Sequence, residues 1–364
     1  ELFNRARDLA DCRKALDEFG SPDQNFLCAD ADEIGIWHMG KLPVKWQGQG
    51  RLISDGTSSD YEWRGWIPKD QIPQVKNPKR GYLSSANQWP ADEKYPYYLG
   101  SGFIGPFRSM RINELLVAKE KLSGLDMIEI QGDSLAVVAR MTLPAMLASV
   151  KTGSHALHKA AVEKLAKWDF KYTESSVAAS IYDEWFTRLL KRLWSPRFPN
   201  HIDYAYPPME RTVELIAQQP SSKWFDDPKT PEKETLQALA EASLDETLAA
   251  LSEELGKKLE NWEWARHNPT QLGHMSKLPG LGRKLAARGT AEAIFANTGR
   301  HGPAWKMVVE LGPELKAWGV YPGGQSGDPT SPYYDTFVDE WARNELKPLI
   351  FLTSLEDLNP RLEF

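Results

Sequence analysis

The sequence is short of several things, and each shortage removes a class of function. It holds only two cysteines, Cys12 and Cys28, in 364 residues. Two are too few for a disulfide framework and their spacing fits no metal motif, so the residues predict two buried or unpaired thiols. No run of about 18 apolar residues occurs, so no membrane-spanning helix is expected. Positive charge is not in excess: the formal net charge is −6 and the pI is near 5.8. That balance argues against a nucleic-acid partner, which requires a basic face.

Self-contained catalytic signatures are also missing. Gly324-Gln325-Ser326-Gly327 is superficially like a nucleophile elbow but breaks the G-x-S-x-G order, and it predicts a turn. Pro279 to Arg283 has too few glycines for a dinucleotide loop and follows no strand. His155 and His158 share a helix face and could ligate zinc with a third partner, but no H-E-x-x-H or nearby cysteine supports a metal. Asp30 and Asp32 alternate like the start of a calcium loop without the rest of its pattern, and they predict a tight hairpin turn.

Tryptophan, in contrast, is plentiful. Trp37, Trp46, Trp63, Trp66 and Trp89 fall in the first quarter of the chain. An aromatic-walled cleft is one explanation and core packing the other. Gly65 to Arg111 is rich in proline, amides, aromatics and basic residues. Proline lacks the donor that a helix interior or central strand needs, so this stretch predicts an ordered but irregular wall. Within it, Gly81 to Pro90 reads as a short strand that leads into a turn at Asn87. Asn87 and Arg108 are polar donors in this wall: an amide can supply an oxyanion donor, and a guanidinium can hold a carboxylate bidentately.

Periodicity orders the rest. An amphipathic helix covers Leu2 to Phe19, and Asn25 to Ala29 and Ile34 to His38 read as a β-hairpin with His38 packing or hydrogen-bonding at its end. A polar loop spans Trp46 to Glu62, and amphipathic helices fill residues 111 to 260 apart from a Pro- and aromatic-rich break from Pro196 to Pro208. Thr230 is the expected cap of the last of these helices, with Pro231 at its first position. Ala304 to Gly312 and Lys316 to Gln325 predict a second hairpin, followed by a helix and a short strand over Leu349 to Leu352. Strands at both ends around a helical middle predict an α+β fold in which both ends share one sheet. The segments are 1–110, with helix, hairpin and site wall; 111–260, helical; and 261–364, with the last strands and helix.

Several separated stretches resemble the penicillin acylase family of N-terminal-nucleophile hydrolases. Asn25 to Pro43 (NFLCADADEIGIWHMGKLP) is similar to the family's N-(W/F)-x-x-A-D…I-G…G-x-x-P, with a turn one residue shorter. Trp63 to Pro68, Asn77-Pro78 and Gly81 to Pro90 resemble its W-x-G-x-x-P, N-P and G-Y-x-x-x-x-N-N-x-P, with Gln88 in place of the second Asn. Gln131 and Asp133 match its helical Q-x-D, and Gly302 to Val309 with Pro322 to Asp335 match its C-terminal signature.

The resemblance implies an αββα sandwich with a large helical insertion. It also implies a nucleophile at the N-terminus of the large subunit, activated by its own α-amino group. That residue would precede Glu1, so the chain is expected to be the C-terminal portion of a large subunit, inactive alone and completed by the preceding part or small subunit of one precursor. By resemblance Asn87 is the oxyanion donor, and Arg108 organises the site and meets a carboxylate. Trp37, Trp89, Tyr97 and Phe103 are candidates for an acyl pocket. The substrate would be a small linear amide, and the compartment the periplasm or the exterior. No cofactor is expected: the family binds calcium, but Leu99 and Gly48-Gln49-Gly50 stand where its ligands would be. A non-catalytic module that binds sugar or peptide through the Trp-rich quarter is the alternative; a freestanding glycoside hydrolase has no carboxylate pair singled out by context.

Overall fold

A computed structural model describes residues 1–198 and 206–351. It is α+β, as the patterning predicts, and it divides into two compact units. The first comprises Glu1–Ser109 with Leu311–Glu314, and the second the described remainder from Met110 onward.

In the first unit α1 (Leu9–Asp17) starts where the Asp8 carboxylate accepts from the Asp11 amide at 2.8 Å. The predicted helix is shorter than its pattern, because Phe3–Arg5 form a separate single turn. β1 (Gln24–Ala29) and β2 (Ile34–Met39) make the predicted antiparallel hairpin. Its turn is tied by Asp30, whose Oδ1 accepts from the amides of Asp32 at 2.9 Å and Glu33 at 2.8 Å. β3 (Gln74–Lys76) occupies the other edge of β2.

Side chains alternate across a strand, so register decides what each face carries. Phe26 pairs with Trp37 and Asn25 with His38. Trp37 and Met39 turn to α1 and join Leu9, Cys12, Leu16, Ile67 and Ile72 in the core, with Phe26 and Cys28 packed against it. Asn25 and His38 turn to the opposite face. The Trp37 ring lies directly over Gly35, where an added Cβ would come within 2.2 Å of it, so no larger residue fits there. Packing of α1 on β1 also joins Cys12 to Cys28 in a disulfide. This corrects the expectation of two unpaired thiols: residues distant along the chain meet only once helix and strand are docked. Beyond β3 the wall is irregular as predicted, but the strand expected just before Asn87 is absent.

α2 (Phe107–Val117) leads into the second unit. There α3 (Gly124–Gln131) begins with a capping box between Ser123 and Asp126. α4 (Val137–Ser149), α5 (His158–Ala166), α6 (Val177–Trp194), α7 (Met209–Gln218), α8 (Leu236–Leu255) and α9 (Trp264–His267) follow. Residues 199–205 of the Pro-rich break lie outside the described residues. α6 and α8 are fastened by Trp185, fully buried, whose Nε1–H donates to the Ala240 carbonyl at 2.9 Å and to Ser243 Oγ at 3.1 Å. The cap of α8 is Thr235, whose side chain accepts from the Ala238 amide, and not Thr230. Asp133, after α3, receives the Arg111 guanidinium on both oxygens, at 3.0 and 2.8 Å.

β4 (Thr270–Leu272) pairs with β5 (Arg283–Leu285). β6 (Lys306–Glu310) and β7 (Lys316–Val320) form the second predicted hairpin. α10 (Val338–Arg343) and β8 (Lys347–Pro348), which pairs with β7, come last. The final strand lies just before the expected one, of which Leu352 is outside the described residues. Among the described residues the two ends do not share a sheet. β1–β3 and β6–β8 form separate three-stranded sheets, with β3 on the second edge of β2 and β8 on that of β7. Lys306 is buried in the second unit, with Nζ donating to the Trp341 carbonyl at 2.8 Å and to Asn344 Oδ1 at 3.2 Å, and 3.8 Å from the centre of the Phe295 ring.

Candidate active site

Asn87 is exposed on the irregular wall and has a left-handed backbone, φ 66°. Asparagine tolerates this conformation better than most residues, yet it persists only where the surroundings fix it. Here they do. The Asn87 carbonyl accepts from the Ile104 amide at 2.9 Å. The preceding Ala86 amide donates to Gln88 Oε1 at 2.7 Å. Arg108, in the first turn of α2, reaches back with Nη2 to the Ala86 carbonyl at 3.1 Å and to Asn87 Oδ1 at 2.8 Å.

That last contact fixes the orientation of the amide. A guanidinium has donors only, so the atom facing it must be the Asn87 oxygen, and Nδ2 with its two hydrogens points away. Nδ2 has no partner among the described residues. The geometry therefore presents a fixed amide donor at the surface of the wall. Arg108 Nε is buried and also lacks a partner among the described residues, and such a group calls for an explanation.

Trp89, 38% exposed, and Phe103 meet edge to face with centroids 4.9 Å apart, forming an apolar surface in the same stretch as Asn87. Phe103 continues to the His38 ring, 6.3 Å away. The other two aromatic candidates lie elsewhere. Tyr97 packs against the core, its ring on Tyr95 and its hydroxyl on the Gln71 side chain. Trp37 is only 4% exposed and belongs to the core under α1, which corrects its expected place in a pocket. The strand parity that sends Trp37 inward turns its neighbour His38 toward the wall.

Sequence reasoning missed a polar chain on that second face. His38 is 7% exposed, and its Nδ1 lies 2.8 Å from Asn25 Oδ1, its cross-strand partner. Asn25 Nδ2 in turn donates to Ser85 Oγ at 2.8 Å. His38 Nε2 faces the Asp23 carboxylate at 3.5 Å. Burial lowers the His38 pKa, and Asp23 opposes that shift. The only sequence signal was hairpin register, which sets Asn25 opposite His38.

Calcium does not fit the residues present. The Leu99 carbonyl accepts from the Lys45 ammonium at 3.3 Å, and Gln49 uses Nε2 on the Tyr61 carbonyl at 2.7 Å and Oε1 on the Trp46 amide. A positive side chain stands where a cation would need oxygen ligands. Among the described residues no group of three His, Cys, Asp or Glu is placed to hold a metal ion.

The fold is that of an acylase. A solved thermostable penicillin G acylase from Alcaligenes faecalis superposes with a TM-score of 0.62 over 95% of this chain and 67% of that one, at 19% identity. The penicillin amidase family model matches residues 2–354, and the chain belongs to that family. Acyl-homoserine lactone acylase QuiP of Pseudomonas aeruginosa is 25% identical over 387 residues, covering 94% of this chain and 46% of its own length. The penicillin acylase 2 proenzyme of Pseudomonas sp. strain SE83 is 25% identical over 363 residues, covering 95% and 46%. The chain spans about half the length of the curated relatives it matches.

Proposed function

We propose that this chain is part of an amidohydrolase that cleaves a linear N-acyl amide through an acyl-enzyme, with the nucleophile contributed from outside residues 1–364. The observation that carries this reading is the Arg108 contact that fixes Oδ1 of Asn87 and leaves Nδ2–H as a preorganised donor. The nucleophile adds to the carbonyl carbon, and the developing oxyanion accepts from Asn87 Nδ2. The amine departs with a proton, and water then releases the carboxylic acid. A donor already fixed before the reaction does not have to reorganise during it, which makes such groups effective. Arg108 acts as a positioning residue, and its cationic face also suits a product carboxylate.

Trp89 and Phe103 form the wall for an apolar acyl group. The relatives named for acyl-homoserine lactones and penicillin support a substrate among acylated amines. A name that includes "proenzyme" supports a precursor that supplies the remaining part. The Cys12–Cys28 disulfide favours an oxidising compartment, the periplasm or the exterior.

The test is hydrolysis of a chromogenic fatty-acyl anilide by the complete polypeptide with and without Asn87→Ala. Loss of an oxyanion donor lowers kcat by about 10²- to 10³-fold; full activity of the variant would reject the assignment. A second reading, a sugar- or peptide-binding module, draws on Trp63 and Trp66, both exposed and edge to face at 5.6 Å, with Lys41 over the Trp66 ring. It requires ligand binding that Trp66→Ala abolishes and Asn87→Ala leaves intact.

A further inference from the structure

We propose that His38 and Asn25 are positioning residues for the Asn87 donor, acting through Ser85. The inference rests on the reading of Asn87 as the group that holds the oxyanion.

The segment Ser85-Ala86-Asn87 is gripped from two sides. From α2, Arg108 holds the Ala86 carbonyl and the Asn87 side-chain oxygen. From the hairpin, Asn25 Nδ2 holds Ser85 Oγ at 2.8 Å. The hairpin grip has a direction only because of His38. An Asn amide can point either end at a hydroxyl, since the hydroxyl both donates and accepts. With Asn25 Oδ1 set toward His38 Nδ1 at 2.8 Å, the pairing requires the proton on Nδ1 and turns the Asn25 NH₂ to Ser85. His38 orients Asn25, Asn25 holds Ser85, and Ser85 sets the entry to a left-handed residue that has no intrinsic preference strong enough to stay there.

The surroundings of His38 hold the ring in place. Its backbone amide is fixed by the Pro73 carbonyl at 2.9 Å, and Phe103 covers its ring. The charged group facing it is Asp23, at 3.5 Å from Nε2. An imidazole with Nε2 unprotonated faces that carboxylate lone pair to lone pair. A second proton on Nε2 relieves this contact and leaves the Nδ1–H bond to Asn25 in place. Positioning is therefore expected to survive mild acid, and to depend on the Nδ1 donor and not on the charge of the ring.

The experiment uses the complete, processed enzyme and a fatty-acyl anilide. His38→Phe keeps a ring without a donor, and Asn25→Ala removes the link to Ser85. Each is expected to lower kcat about tenfold with KM little changed. His38→Asn, whose amide reproduces the Nδ1 donor, should regain most of the lost rate, whereas His38→Gln, which reproduces Nε2, should not. In an Asn87→Ala background, Asn25→Ala should have no further effect on kcat, because there is no donor left to position. Equal losses in both backgrounds, or a rescue by Gln and not Asn, would overturn the proposal and leave Asn25 and His38 as packing residues. Should Asn87→Ala itself retain full activity, the oxyanion assignment would fail first, a result distinguishable from failure of the relay alone.

Discussion

Arg108 does two things with one planar group, gripping a backbone carbonyl and a side-chain oxygen from the same nitrogen. Lysine offers a compact ammonium on a flexible stem and does not reproduce a planar guanidinium. Arg108→Lys is accordingly expected to lower kcat about tenfold while KM changes little, in steady-state assays with the anilide. A large rise in KM at constant kcat would instead assign Arg108 to substrate binding. Asn87 and Arg108 stood out in the sequence as polar groups in a proline-rich wall, and motif resemblance gave them roles. Asn25, His38 and Ser85 did not stand out, because their significance lies in a cross-strand pairing and a contact between residues 60 positions apart. Trp37 misled for the complementary reason: aromatic character is visible in a sequence, but the face of the strand is not.

Among the helices, α6 and α8 are joined through a buried tryptophan. Trp185 is fully buried between them and both of its acceptors lie on α8. Trp185→Ala should destabilise the second unit by about 3–5 kcal/mol, read from urea unfolding, as the cavity and the lost hydrogen bonds add. A loss under 1 kcal/mol would mean that α8 closes over the space. The hairpins and most helices were legible because their periodicity is strong. The start of α8 was not, since Thr230 and Thr235 have the same capping chemistry. What separates them is Glu234, which accepts from the Asp227 amide at 2.9 Å and from Thr230 Oγ1 at 2.9 Å and so ties residues 227–234 into a loop. Strand patterning identifies strands, whereas their partners, β3 beside β2 and β8 beside β7, depend on which edge another segment occupies.

Two units with separate cores should unfold as two transitions in calorimetry, and each carries its own reporter. Dithiothreitol should lower only the first-unit transition, by an amount equivalent to about 3 kcal/mol for a loop of the Cys12–Cys28 size. Lys306 reports on the second. Burial pulls its pKa down to about 7, so between that value and the ordinary lysine range the unfolded chain carries a proton that the folded one lacks. Stability of the second unit should rise from pH 7 to pH 9, by up to about 1.4 kcal/mol per pH unit. Lys306→Met should flatten that rise; an unchanged slope would assign the pH dependence to other groups. The hairpin has one more consequence, for how this chain tolerates insertions. Alternation in β2 sets Trp37 under α1 and His38 toward Asn25, so one residue added within Ile34–Met39 would exchange the two environments at once. In an insertion scan, single-residue insertions there should be far more damaging than insertions in the Trp46–Glu62 loop, even though neither adds bulk to a catalytic group.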